Sequence, residues 1–152
     1  MWIALAPVVA WRVGYPKLRA VLLVIACVWA ADLVSSLVKM AVGRERPFVG
    51  IDQADPLMGG IVGSSFPSGH AATSAAGAFA LALIAPRWTP WFAALAAAIA
   101  FSRVYVGVHY PLDVLAGLAI GLAVAGVVLG AVRLLRRTSE DPQRSEAPPK
   151  PG

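Results

Sequence analysis

Apolar residues run through this chain in four long blocks, roughly Ala20 to Met40, His70 to Ala85, Pro90 to Val108 and Leu112 to Leu135. A helix needs about 20 such residues to cross a bilayer core, so the pattern predicts an all-α, polytopic transmembrane bundle with four full spans. A fifth piece, Met1 to Trp11, is apolar but too short to span alone and reads as a short N-terminal helix. No positive stretch precedes it and no small-residue cleavage site follows, which argues against a secretory signal peptide. The segment from Val49 to Ser65, rich in Gly, Asp and Pro, reads as an outer lid or re-entrant piece. Past Arg137 the apolar periodicity ends. Residues 138–152 are expected to be a disordered cytoplasmic tail behind a single transmembrane domain, 1–137. No sequence repeat suggests a solenoid or an inverted-repeat transporter.

Composition sharpens the membrane reading. The chain is 59% hydrophobic and 14% charged, with a mean hydropathy of +0.72, outside the balance of a soluble domain of this length. Cys27 is the only cysteine. Placed mid-helix, it reads as a small apolar filler.

The distribution of charge sets the direction of the spans. Arg12, Lys17 and Arg19 precede the first span, Arg87 lies in the Pro86-Arg87-Trp88-Thr89-Pro90 connection, and Arg133, Arg136 and Arg137 close the last span. Spans of alternating direction put all of these on one side, which the positive-inside rule makes cytoplasmic. The same alternation carries Lys39, Arg44, Arg46, His70, Arg103, His109 and Asp113 to the opposite, extracytoplasmic face. Three clusters distant in sequence therefore meet at one end of the bundle. Bases there run against the orientation rule, and an anionic ligand would account for them.

Each cluster has a chemical logic. In Pro67-Ser68-Gly69-His70 a serine suited to capping opens a helix, and glycine lets a ligand approach the backbone. The exposed N–H groups of the first turn attract an anion. His70 would stand beside that anion and could protonate a departing oxygen. His109 precedes Pro111, a residue favoured at a helix start, and Asp113 follows it at i+4. The carboxylate can then reach one imidazole nitrogen and leave the other free to attack. Asp113 is also a first-turn acid that the helix dipole favours. Arg103 near the end of one span, and Lys39 and Arg46-Pro47 at the end of another, can be interfacial anchors singly; beside two histidines they become oxyanion clamps.

Lys39 with Arg46-Pro47 after six intervening residues, Pro67-Ser68-Gly69-His70, and Ser102-Arg103 with His109 and Asp113 together resemble the three-part signature of the type-2 phosphatidic acid phosphatase family. Its superfamily also includes the vanadium haloperoxidases. The resemblance implies that His109 is the nucleophile forming a phosphohistidine, that Asp113 orients it, and that His70 is the general acid. It implies further that Lys39, Arg46, Arg103, Ser68 and the Gly69 N–H hold the phosphate oxygens. The function implied is an integral membrane phosphatase, in a bacterial cell membrane, acting on a polyprenyl diphosphate or a phosphatidate-like monophosphate. Its expected partners are that substrate and the membrane lipids, with no nucleic acid and no cofactor. Glu45, Asp52 and Asp55 match no metal-binding spacing and read as solvated loop acids, so metal-independent catalysis is expected. Members of the family commonly carry a further helix before the region equivalent to Met1.

Two other activities fit the fold less well. A haloperoxidase has no need of so hydrophobic a chain, and an idle scaffold would not need a competent residue at every motif position. Asp32, inside the first span and two turns before Lys39, is expected to be structural, contacting a polar partner such as Ser35, Ser36 or Thr73. Gly117-x-x-x-Gly121 and Gly126-x-x-x-Gly130 are expected to support close packing within one subunit.

Overall fold

The computed structural model describes residues 1–50 and 63–140, and of residues 50 and 137–140 the backbone only. The regular elements among the described residues are all helices: α1 (Trp2–Val13), α2 (Lys17–Val42), α3 (Pro47–Gly50), α4 (Gly69–Ile84), α5 (Thr89–Tyr105) and α6 (Pro111–Glu140), with one 3-10 turn at Pro86–Trp88. Glycine ends the first two long helices: Gly14 and Gly43 take the left-handed conformation, and the Gly43 N–H closes on the Lys39 carbonyl. α6 continues three residues past the boundary expected at Arg137, because Thr138, Ser139 and Glu140 contain no breaker and the first proline is Pro142. The rest of the expected tail, most of the 49–65 segment, and Asp52 and Asp55 lie outside the described residues.

Small residues face inward and large ones outward. The buried stripe of α2 is Ala20, Val24, Cys27, Ala31 and Ser35, while Leu18, Leu22, Trp29, Leu33 and Leu37 are exposed. In water this pattern would strand a large apolar surface; in lipid it is the low-energy arrangement, because packing rather than hydrophobicity holds the helices together. Of the four expected spans, α2 and α6 are long and apolar enough to cross a bilayer alone. α4 and α5, with 16 and 17 residues, fall short of the usual length. α4 is instead the central post of the bundle, touching α1, α2, α5 and α6, and ten of its residues are buried.

Glycines set how closely the post is gripped. A Cβ on Gly117 would run into the Ser68 carbonyl, and one on Gly121 into the Ala72 carbonyl. Both lie on α6 and face the first turns of α4, so this pair packs within the subunit as expected. The pair Gly126 and Gly130 does not, since a Cβ at either would meet nothing within 4 Å. On the other flank, Trp2 of α1 lies against Gly77 of α4. Replacing Gly121 by Ala should cost about 1–3 kcal/mol through overpacking against backbone that cannot yield. Gly126→Ala should be neutral or stabilising by up to about 1 kcal/mol from helix propensity. Melting temperatures of the two variants in detergent check the contrast.

Candidate active site

The alternation of α2, α4, α5 and α6 gathers the three charged clusters at one end of the bundle. α2 stops at Gly43, and residues 44–46 form a non-helical link to α3. Ser65 closes on this segment: its N–H donates to the Arg44 carbonyl at 2.8 Å and its hydroxyl to the Glu45 carbonyl at 2.9 Å. The Ser65 carbonyl accepts from His109 Nδ1 at 2.7 Å. A carbonyl can only accept, so Nδ1 carries the proton and Nε2 keeps its lone pair.

Asp113 lies behind this contact, fully buried. Its Oδ1 accepts from Arg44 Nη1 at 2.9 Å, and its Oδ2 accepts from the Tyr110 N–H at 2.9 Å, the reach-back bond of a capping box. Oδ2 stands 3.7 Å from His109 Nδ1. The immediate partner of the imidazole is thus Ser65, with the carboxylate one step further away. The Asp113 carbonyl accepts from the Ser68 N–H at 2.8 Å, tying the start of α4 to the start of α6. Ser68 is buried, and its hydroxyl caps α4 by accepting from the Ala71 N–H at 3.5 Å.

The cations are held by carbonyls and retain donors to offer. Arg46 is buried; its Nε donates to Gly63 O and its Nη1 to Val108 O, both at 3.0 Å. Nη2 has no hydrogen bond among the described residues. Lys39 Nζ donates to Ser64 O at 3.0 Å, which leaves two N–H bonds. Arg103 Nε donates to Ser102 Oγ at 3.1 Å. His70, exposed in the first turn of α4, is within electrostatic reach of Arg103 and Lys39, and His109 of Lys39 and Arg46. Lys39 therefore acts on both imidazoles. A side chain on Gly69 would meet Lys39 Cε at 3.9 Å, so the bare backbone of α4's first residue adjoins the lysine.

All eight residues singled out in the sequence, Lys39, Arg46, Ser68, Gly69, His70, Arg103, His109 and Asp113, sit at this end. Two contributors were not foreseen. Ser65 acts through its backbone carbonyl, which no sequence pattern encodes. Arg44 pairs with Asp113 and also lies over the Tyr110 ring, 4.2 Å from its centroid; its signal was a further base two positions before Arg46. Asp32 departs from expectation. It makes no hydrogen bond to Ser35, Ser36 or Thr73, because the Thr73 hydroxyl bonds back to the Gly69 carbonyl at 2.9 Å. Among the described residues no three of His, Cys, Asp and Glu gather as a metal site would require.

Inward small residues, outward large ones and a pocket of cations and backbone donors at one end make this an integral membrane protein built around a polar site. The chain belongs to the PAP2 superfamily, whose sequence profile matches residues 20–137. It is 44% identical over 95 residues to a lipid A 1-phosphatase of Rhizobium etli, covering 60% of this chain and 41% of the relative. It is 37% identical over 125 residues to an undecaprenyl-diphosphatase of Sulfolobus acidocaldarius, covering 80% and 58%. The chain thus spans about half the length of these curated relatives. Among solved structures, the transmembrane PAP2-type phosphatidylglycerolphosphate phosphatase of Bacillus subtilis superposes with a TM-score of 0.64 at 26% identity, covering 87% of this chain and 67% of that one.

Burial pushes the His109 imidazole down to about 4, the Lys39 and Arg46 cations push the same way, and the Ser65 carbonyl and Asp113 oppose them. The ring is therefore neutral throughout the physiological range. A histidine-labelled NMR titration in micelles should give His109 a midpoint near 4; a midpoint at the ordinary value of about 6.5 would contradict this reading. The unfolded chain takes up the proton first, so this group's share of stability is intact above about pH 6.5 and falls as the pH drops toward about 4.

Proposed function

We propose that this chain is a membrane phosphatase that hydrolyses a lipid phosphate or diphosphate through a phosphohistidine. The observation that carries the reading is the His109 contact: Nδ1 donates to Ser65 O, so a neutral ring presents Nε2 to a phosphorus atom. Nε2 forms the N–P bond as the bond from phosphorus to the leaving oxygen breaks, and His70 gives its proton to that oxygen. Water then attacks phosphorus as the Nε2–P bond breaks, His70 takes a proton from the water, and inorganic phosphate leaves with His109 restored. Lys39, Arg46, Arg103 and the N–H groups opening α4 neutralise the phosphoryl oxygens, and Asp113 with Ser65 keeps the ring in the reactive tautomer. Ser68 acts by fixing that helix start.

The lipid nature of the substrate is supported by the apolar surface around the site and by the names of the relatives given above, which are phosphatases of lipids. An alanine-rich groove of ≈ 330 Å³ between α4, α5 and α6 gives an alkyl chain room beside the bundle. The bases Arg12, Lys17, Arg19, Arg87, Arg133 and Arg136 crowd the opposite end, so the site faces away from the cytoplasm and the C-terminal segment faces into it.

Purified protein should release phosphate from lipid phosphates in the presence of a chelator, with vanadate inhibiting. Replacing His109 by Ala should lower turnover by about a thousandfold or more, as loss of a nucleophile does, and abolish an acid-labile phosphoenzyme. Unimpaired turnover by that variant would exclude the assignment. Loss in His70→Ala should be deepest for poor leaving groups, which need the proton most.

A further inference from the structure

Asp32 is a charged side chain near the site to which the reaction above gives no task. It lies in α2 at the level of the first turn of α4. A Cβ on Gly69 would stand 3.9 Å from both Asp32 Oδ1 and Lys39 Cε, so acid and base flank the same bare backbone. The carboxylate is exposed and makes no hydrogen bond among the described residues. It lines a cleft of ≈ 280 Å³ together with Trp2, Val28, Trp29 and Thr73. The two acids of the site divide it. Asp113 Oδ2 stands 3.7 Å from His109 Nδ1, and the field of Asp32 reaches His70, while both acids act on Lys39.

The imidazoles have separate duties in the proposed reaction, and this division gives the acids separate neighbours. Asp113 belongs to the attacking side. Asp32 belongs to the side on which the leaving group departs. An ionised carboxylate offers acceptors only. A leaving group bearing a hydroxyl next to the ester oxygen, as a sugar or glycerol does, would satisfy it. A leaving group that is itself a phosphate would bring a second negative charge against it.

We propose that Asp32 is a specificity-determining residue that selects lipid phosphates with a hydroxyl-bearing leaving group and disfavours diphosphates. The inference rests on the phosphatase reading and names the substrate class within it.

The test compares three substrates of equal chain length, a 6-O-dodecanoyl glucose 1-phosphate, dodecyl diphosphate and dodecyl phosphate, on the full chain in detergent. Wild-type kcat/KM should favour the glycosyl phosphate over the diphosphate by about tenfold or more, since like-charge juxtaposition is the stronger of the two effects. Asp32→Asn should shrink that ratio by about tenfold, chiefly by raising diphosphate turnover, and Asp32→Glu should restore it. Dodecyl phosphate, which has neither a hydroxyl nor a second phosphate, should change by less than about threefold. An unchanged ratio would overturn the assignment, and so would an equal loss on all three substrates, which would make Asp32 a support of the fold or of His70. If Asn at this position prevents folding, Asp32→Ser serves in its place with the same expected ratio. Release of phosphate from at least one substrate with no effect of Asp32 on the ratio would leave the phosphatase reading standing and remove this one. No release from any of the three by wild type would remove both.

Discussion

The arrangement at this end of the bundle hangs on one buried carboxylate. Asp113 has no exposed surface, and a charge left unpaired in such a place costs about 3–5 kcal/mol. Three of its oxygens answer to three different parts of the chain: Oδ1 to Arg44 beyond α2, Oδ2 to the Tyr110 N–H at the start of α6, and the carbonyl to Ser68 at the start of α4. Tyr110 lies under the guanidinium that makes the first of these bonds, so the ion pair is covered as well as satisfied. The start of α4, the start of α6 and the link after α2 are thereby fixed to one another. His109, between Val108 and the cap, has little freedom left.

Helix packing and site geometry are the same constraint seen from two directions. Gly117 stands where a Cβ would strike the Ser68 carbonyl, and Ser68 is the residue whose N–H reaches Asp113. The close approach of α6 to α4 that small residues permit in lipid is therefore what brings the cap of one helix within bonding distance of the first turn of the other. α4 is short because its first turn is sunk to the level of Asp32, below the end of α2. The N–H groups of that helix start attract an anion at this level.

Much of this was legible in the sequence, and the reasons the rest was not are physical. Apolar blocks reveal helices because the period and length of a buried helix are local properties, and four of the long helices fall where they were expected. The clusters could be brought together because strict alternation of direction fixes which ends meet. What local reasoning missed lies in contacts made by the backbone or across the fold. Ser65 holds His109 with a carbonyl that every residue possesses. Asp32 was assigned a hydroxyl partner, but Thr73 has a nearer carbonyl on its own helix, and a side chain bonded within its helix is withdrawn from interhelical pairing. Two identical glycine spacings on α6 parted company because only one of them faces α4.

The charges around His109 serve the proposed reaction twice. Burial keeps a proton off the ring, and Lys39 and Arg46, which in that reaction would receive phosphoryl oxygens, push the same way. An imidazole among cations is thus kept in the only form that can attack. A docked phosphate reverses part of this field, because its negative charge offsets the same lysine and arginine and makes an imidazolium easier to form. If Nε2 were free to take a proton at that moment the nucleophile would be lost. The in-line approach of phosphorus to Nε2 occupies the lone pair instead, while the Ser65 carbonyl holds the proton on Nδ1. The backbone contact therefore does more than orient the ring: it decides which nitrogen remains reactive once the cations have been neutralised by their ligand.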